Sequence, residues 1–300
     1  MNILITGGSG LLGGRLGRHL AQNHSVYIGS RQDPGFSFSY QHRYLDLLNL
    51  ASLDSSLAGI DQVIHLAALN YQQCQDDPDL AEKVNVQATQ ELVRLATLHE
   101  IKKLLYFSTV HVYGTPLEGE LKENGMVHPA NAYARTHYQA EKFIMSNKSG
   151  VVVRLSNSVG APENKQTNCW MLLANDLCQQ AVRQKQLTLK THGLQSRNFI
   201  PINDLLTFCS YLLEKNPHYQ LYNLGSPKNN TILEITQMVA NACEKTLGYL
   251  PPIIKPSAPE NFLEKEFHLD LNLLQSEAVV LNFDLNGEIV QLLKACEEWF

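Results

Sequence analysis

A run of glycines near the start of the chain is arranged to hold a phosphate. Thr6-Gly7-Gly8-Ser9-Gly10-Leu11-Leu12-Gly13 follows a β-rich segment, Asn2 to Thr6, and opens an apolar-periodic stretch that reads as a helix. At such a junction backbone N–H groups and the helix dipole face a pyrophosphate. The three spaced glycines act differently. Gly7 permits the tight turn, Gly10 lets the backbone approach the phosphates, and Gly13 lets the helix pack closely on the sheet. Leu11 and Leu12 belong to the same phosphate-facing turn. The second β-rich segment ends in Gly29-Ser30-Arg31, where an NAD-selective site carries an acidic side chain for the ribose hydroxyls. Ser30 and Arg31, with Arg15 as a further candidate, suit a 2′-phosphate instead, because a guanidinium fork bonds two phosphate oxygens at once. The expectation therefore favours NADP, with NAD as the alternative.

The elements that must position this turn are legible as a pattern. β-rich segments near 2–6, 25–29, 62–66, 104–108 and 151–155 alternate with apolar-periodic segments near 11–22, 79–98 and 131–147. That alternation predicts a parallel sheet covered by crossover helices. The expected fold class is α/β: a Rossmann-type doubly wound parallel sheet with a smaller C-terminal substrate-binding lobe. Strand-like Arg197 to Ile202 and Leu221 to Leu224 are expected to return to the sheet. The dinucleotide-binding domain is then 1–155 plus returning segments near 196–224, and the lobe comprises 156–195 and 225–300.

Composition excludes several other classes. With 300 residues the chain can bury a full core. It is 44% hydrophobic and 18% charged, with a net charge of −5, which provides no basic field for nucleic acid or an anionic membrane. Met1 is not followed by a charged and then apolar leader, and no apolar run approaches the ~20 residues of a membrane span. Cys74, Cys169, Cys178, Cys209, Cys243 and Cys296 are scattered without a CxxC pair, so neither a metal site nor a disulfide framework is expected. A reducing cytoplasm fits that usage.

Over nearly its whole length the chain resembles the extended short-chain dehydrogenase/reductase family, in its nucleotide-sugar epimerase/dehydratase branch. The glycine turn has the TGxxGxxG form of that family. Asp46-Leu47 is similar to its adenine-side Asp-hydrophobic pair, His65-Leu66-Ala67-Ala68 to its HLAA, and Asn85-Val86-Gln87-Ala88-Thr89 to its NVxGT. Ser108-Thr109-Val110-His111-Val112-Tyr113-Gly114 resembles SSxxVYG, and Arg154 to Pro162 resembles RxxNxYGP. The resemblance implies cofactor contacts for Asp46, Leu47, Leu66, Ala67, Ala68, Asn85, Tyr133 and His137. It also implies that Thr109 and a tyrosine act on a sugar hydroxyl while nicotinamide exchanges hydride with the carbon bearing it.

Two registers compete for that tyrosine. Tyr138 with Lys142 satisfies YxxxK literally, whereas Tyr133 takes the family position and carries His137 where the family has lysine. Tyr133 is preferred: Thr136 and Glu141 then fall on the Ser and Glu of YxxSKxxxE, and the helix keeps room for its exit turn before Val151. Residues four apart share a helix face, so Tyr133 and His137 point together. An imidazole is shorter than a lysine and half-neutral near its usual pKa of ~6.5, so rate and pH dependence are expected to differ from the family pattern.

His111 stands where the family's dehydratases carry an acidic pair and some keto-sugar epimerase-reductases a cysteine. With Val110-His111 here, dehydration is disfavoured and proton transfer beside a sugar ketone is favoured. The resemblance further implies that Asn157 and Arg197 hold the substrate diphosphate, that Leu189 lies at the base-recognition edge, and that the chain forms a homodimer through the helices after Pro78 and around Tyr133. The functional expectation is an NAD(P)-dependent 4-keto-sugar reductase or 4-epimerase acting on a nucleotide sugar for surface-polysaccharide precursors. The alternative is a dinucleotide-binding sensor or scaffold, which the missing lysine allows.

Overall fold

A computed structural model describes residues 1–263 and 265–300. The first half alternates strand and helix: β1 (Asn2–Thr6), α1 (Leu11–Leu20), β2 (Ser25–Ser30), β3 (Gln41–Tyr44), α2 (Leu50–Ser56), β4 (Gln62–His65), α3 (Tyr71–Asp76) and α4 (Pro78–Ala81). It continues with a π-helical turn (Glu82–Gln87), α5 (Ala88–Leu98), β5 (Lys103–Thr109), a 3₁₀ turn (Val110–Tyr113), β6 (Gly119–Leu121), α6 (Ala132–Ser146) and β7 (Gly150–Leu155). The second half holds β8 (Asn157–Val159), α7 (Leu173–Gln184), β9 (Leu187–Thr188), β10 (Ser196–Pro201), α8 (Ile202–Glu214), β11 (Leu221–Leu224) and β12 (Asn229–Thr231). It ends with α9 (Ile232–Leu247), β13 (Ile253–Ile254), β14 (Phe267–Leu269), α10 (Asn272–Ser276) and α11 (Leu285–Trp299).

Seven strands form one sheet in the order β3-β2-β1-β4-β5-β7-β11, every neighbouring pair parallel. Ile3, Leu4, Ile5, Ile64, Leu104 and Leu105 are fully buried, as expected of strands covered on both faces. One face packs against Leu16 and Leu20 of α1 and Leu205, Phe208 and Leu212 of α8. The other packs against Leu53 of α2, Leu92 and Leu95 of α5, and Ala140 and Ile144 of α6. This is the doubly wound arrangement the alternation predicts. The expected strand near 25–29 runs one residue further, to Ser30. β3 has no counterpart among the expected strands because it is an edge strand of polar Gln41, His42 and Arg43, which carries no apolar alternation.

Two expectations are corrected. The helix expected over 79–98 begins at Pro78, capped by Asp77, whose carboxylate accepts the Leu80 amide at 2.9 Å, and it is interrupted by the π turn. The segment Arg197 to Ile202 does not rejoin the central sheet. It forms β10, parallel to β8 and antiparallel to β12 in a separate three-stranded sheet, while Leu221 to Leu224 does return, beside β7. The reason lies in Asn198: its buried amide donates to Ser226 O and Asn229 Oδ1, polar demands that a two-faced apolar sheet would leave unmet.

α7, α9 and α11 share a second apolar core with Val159 and Phe199. Arg15 ties this lobe to the sheet, reaching Glu288 of α11 at 3.3 Å, Asn203 Oδ1 at 2.8 Å and the Ala161 carbonyl at 3.1 Å. The expected lobe includes 225–300, yet Phe267, Leu269, Leu271 and Leu274 pack with the central-sheet core.

α6 is fastened by charge. Glu141, wholly buried, accepts from Arg154 Nη2 of β7 at 2.8 Å and from Ser108 Oγ of β5 at 2.5 Å. Arg154 also donates to the Glu123 carbonyl and lies over the Tyr113 ring, 4.8 Å from its centroid. Removing one member of such a pair strands a buried charge. Glu141→Gln is therefore expected to lower stability by about 3–5 kcal/mol in urea unfolding followed by circular dichroism; a loss below about 1 kcal/mol would mean that the pair does not hold the helix.

Candidate active site

The chain leaves β1 toward β2 on one side, and β4 takes the place beside β1 on the other. In open parallel sheets such a reversal leaves a crevice at the carboxyl ends of the strands. The glycine turn lies at that point. Gly7 has φ +64°, and a Cβ there would stand 2.8 Å from Ala67 Cα. One on Gly13 would stand 2.5 Å from Gly8 Cα. Gly10 is different: its nearest obstacle is Gly7 O at 3.3 Å, so a side chain there would have room only by taking it from the crevice.

The crevice is a cavity of about 820 Å³. Gly7, Gly10, Leu11, Leu12, Gly13, Leu66 and Ala68 line one side, and Thr109, His111, Tyr133, His137 and Asn157 another. Tyr138 and Lys142, the competing register, are not in its wall. Lys142 is exposed and lies over the Tyr138 ring at 4.4 Å from the centroid.

Thr109 ends β5 and caps the 3₁₀ turn: its Oγ accepts the His111 amide at 3.2 Å, which leaves its own proton to give. Burial pushes the Tyr133 phenol up, while the neighbouring Thr109 hydroxyl acts in the opposite direction. Asn131 caps α6 by accepting the Ala134 amide at 2.9 Å, fixing the turn that carries Tyr133. The Tyr133 and His137 rings meet edge to face, 4.5 Å between centroids. Burial brings His137 down to about 4, with His111 adding to the shift, so the imidazole is neutral at pH 7. His111 is also lowered, by burial first and then by the Arg197 guanidinium.

Other expected residues lie outside the cavity wall. Ala67 donates its amide to Thr6 Oγ at 3.3 Å. Ser30 Oγ donates to the Gln32 carbonyl at 2.7 Å, Arg31 is exposed, and Arg15 is committed to Glu288 and Asn203. Asp46 Oδ1 accepts the Leu48 amide at 3.0 Å, and Leu47 is buried beside Leu4 and Leu53. Asn85, in the π turn, accepts the Leu69 amide at 2.8 Å and donates to Thr136 Oγ at 3.0 Å, so it pins the loop after β4 to α6. Leu189 is buried among α7 and α9 residues. Arg197 is near enough to His111 to depress it and makes no ion pair among the described residues.

Several wall residues fall outside the sequence motifs: Asn70, Tyr71, Gln72, Asn168, Cys169 and Leu172. Tyr71 meets Tyr133 edge to face at 6.2 Å. They sit on or beside loops with no periodic signal. Among the described residues, four buried side-chain polar atoms lack a partner, and two of them, His137 Nε2 and Ser156 Oγ, belong to this wall. Buried polar groups are normally satisfied, so these two atoms are open to a partner from the cavity, a ligand or an ordered water. The backbone cradle and these orphans fit a dinucleotide.

The fold and the crevice define a dinucleotide-binding enzyme class. Residues 3–225 match the NAD dependent epimerase/dehydratase family, and the chain belongs to that family, within the extended short-chain dehydrogenases/reductases. It is 25% identical over 260 residues to the low-salt glycan biosynthesis protein Agl12 of Haloferax volcanii, covering 81% of this chain and 82% of that one. It is 27% identical over 267 residues to a Bacillus subtilis protein described as an uncharacterized UDP-glucose epimerase, YtcB, covering 80% and 81%. Its fold is similar to MoeE5 in complex with UDP-glucose and NAD, with a TM-score of 0.83, 18% identity and 99% of each chain covered. It is similar as well to a UDP-glucuronic acid 4-epimerase from Bacillus cereus, with a TM-score of 0.81 and 22% identity over the whole of both chains. No helix among the described residues is long and apolar enough to cross a membrane.

The glycines separate folding from binding. Gly10→Ala is expected to weaken dinucleotide binding at least ~10-fold while costing under ~1 kcal/mol of stability, since only the crevice loses space. Gly7→Ala should cost several times more stability, through its positive φ and the Ala67 backbone. Fluorescence titration with reduced cofactor and thermal melts would read both effects; equal stability losses would refute the distinction.

Proposed function

We propose that the protein is an NAD(P)-dependent reductase or 4-epimerase acting on a 4-keto or 4-hydroxy nucleotide sugar. The observation that carries this reading is the Thr109 hydroxyl set against the Tyr133 phenol in the same cavity as the glycine turn and His111. When bound, the nicotinamide supplies or accepts hydride at the sugar carbon. Thr109 and Tyr133 then share the oxygen on that carbon: Thr109 orients it, and Tyr133 gives or takes its proton. His111, neutral and in the cavity wall, can receive a proton from a carbon beside a sugar ketone. No carboxylate neighbours it in the sequence, which supports reduction or epimerisation over dehydration.

Arg197, without a protein counter-ion among the described residues, is suited to the substrate diphosphate, and Asn157, which donates to the Asn198 carbonyl at 2.9 Å, lies on the adjoining strand. The names of the relatives and structural neighbours support a nucleotide sugar, and the glycan-biosynthesis relative supports a place in surface-polysaccharide precursor synthesis. NADP remains our preference, but with Arg15 committed elsewhere, Arg31 is the residue left to meet a 2′-phosphate. Arg31→Ala should then weaken NADPH and spare NADH. The family resemblance also supports a homodimer. The outward residues of the helices concerned include Lys83, Gln87, Gln90, Arg94, Arg135, Gln139 and Lys142, so an interface there would be polar.

A panel of nucleotide sugars and their 4-keto derivatives assayed with NADPH tests the reading. Stoichiometric NADPH loss identifies a reductase; a retained cofactor with no net consumption identifies an epimerase. Tyr133→Phe is expected to lower kcat by roughly 10²–10⁴, and undiminished turnover in that variant would remove the assignment. Because His111 is depressed below 6.5, the acid limb of kcat/KM should lie below that value. Arg197→Gln should move the limb upward as the neighbouring positive charge is lost; an unmoved limb would exclude His111 as the proton carrier.

A further inference from the structure

Beneath the cavity lies a layer of rings. Tyr106 of β5 lies between His65, tilted to it at 5.5 Å, and His137, stacked on it at 6.0 Å between ring centroids. All three side chains are buried. The hydrogen bonds fix their protons. The Thr89 hydroxyl donates to the Asn85 carbonyl at 2.7 Å, so it accepts from His65 Nε2 at 2.9 Å, and His65 Nδ1 accepts from Thr6 at 2.7 Å. Tyr106 Oη has one partner among the described residues, His137 Nδ1 at 2.7 Å. With the proton on Nδ1, two buried polar atoms, the phenolic hydrogen and the bare Nε2, would be left without a partner among the described residues. With it on Nε2, Tyr106 donates to Nδ1 and only the Nε2–H is left over, on a residue that lines the cavity, where a ligand can meet it.

We propose that Tyr106 is a positioning residue: it locks His137 as the neutral Nε2–H tautomer and so makes it a fixed hydrogen-bond donor to an oxygen of the dinucleotide. The proposal rests on the cofactor reading above. The groups around the imidazole agree with a neutral ring. His111 in the 3₁₀ turn, His65 behind Tyr106, Cys74 of α3 and Tyr133 on the same helix supply no negative charge at pH 7, and Glu141 is spent on Arg154. A donor of this kind binds without the positive charge that a lysine would place beside Tyr133. The phenol, raised by burial, is then steadied by Thr109.

The test uses the full chain with ¹⁵N-labelled histidine, the His137 signals being assigned by their loss in His137→Gln. Long-range ¹H–¹⁵N correlation spectra from pH 5 to 9 should show a protonated Nε2 and a bare Nδ1 throughout, with no titration in that range. In Tyr106→Phe that single-tautomer signature should be lost while His65 keeps its own, which reports an intact fold. The dissociation constant for the preferred reduced cofactor should rise roughly three- to tenfold in the same variant. A proton on Nδ1, a midpoint near 6.5 for His137, or an unchanged dissociation constant in Tyr106→Phe would overturn the proposal. If the wild-type protein binds neither NADH nor NADPH, the cofactor reading fails instead, and the spectra still decide the tautomer.

Discussion

One buried ion pair sets the geometry on which the site depends. Glu141 and Arg154 are almost entirely removed from water, and their attraction is repaid only in the arrangement where Ser108 and the Glu123 carbonyl complete the hydrogen bonding. Glu141 lies eight residues along α6 from Tyr133, so fixing its carboxylate against β5 and β7 fixes how the helix is rotated over the sheet. That rotation aims Tyr133 at Thr109 and turns Tyr138 and Lys142 away. A purely apolar contact would tolerate some rolling of the helix. Directional bonds from two strands do not.

Much of this arrangement is legible in the residue pattern alone. The glycine spacing, the parallel alternation and the pairing of Tyr133 with His137 all follow from local rules with a fixed period, 2.0 along strands and 3.6 along helices. What the pattern hides has physical causes. β3 is polar because an edge strand faces water, and β10 sits in an unexpected sheet because a strand's period does not say which neighbour it pairs with. Arg15 looks like a phosphate ligand by position, but its partner Glu288 lies 273 residues away, and no local pattern encodes such a contact. Tyr106 reads as strand filler within β5. Alternation nevertheless puts it on the face that α6 covers, where a buried hydroxyl needs a partner, and His137 is the available one.

The electrostatic character of the cavity follows from burial more than from charge. His65 is brought down to about 3 and His137 to about 4, so the floor beneath the glycine turn is uncharged across the physiological range. Such a floor recognises by donor and acceptor placement. Positive charge comes near this floor at Arg197, whose guanidinium acts on His111. Under the proposed function, the diphosphate of the substrate would lie at that edge and its sugar toward Thr109 and Tyr133.

The π turn at Glu82–Gln87 winds one residue more into the helix than an α-helical path would need, and Asn85 is presented by that widened coil. Losing a single residue there would let the segment relax to ordinary winding, with the rest of the helix kept in phase but the widened coil that presents Asn85 closed. The Leu69 and Thr136 contacts would break together, releasing the Leu66–Asn70 stretch that borders the crevice. In descendants of this sequence, substitutions along the exposed side of that helix should accumulate freely, while changes of length should be purged.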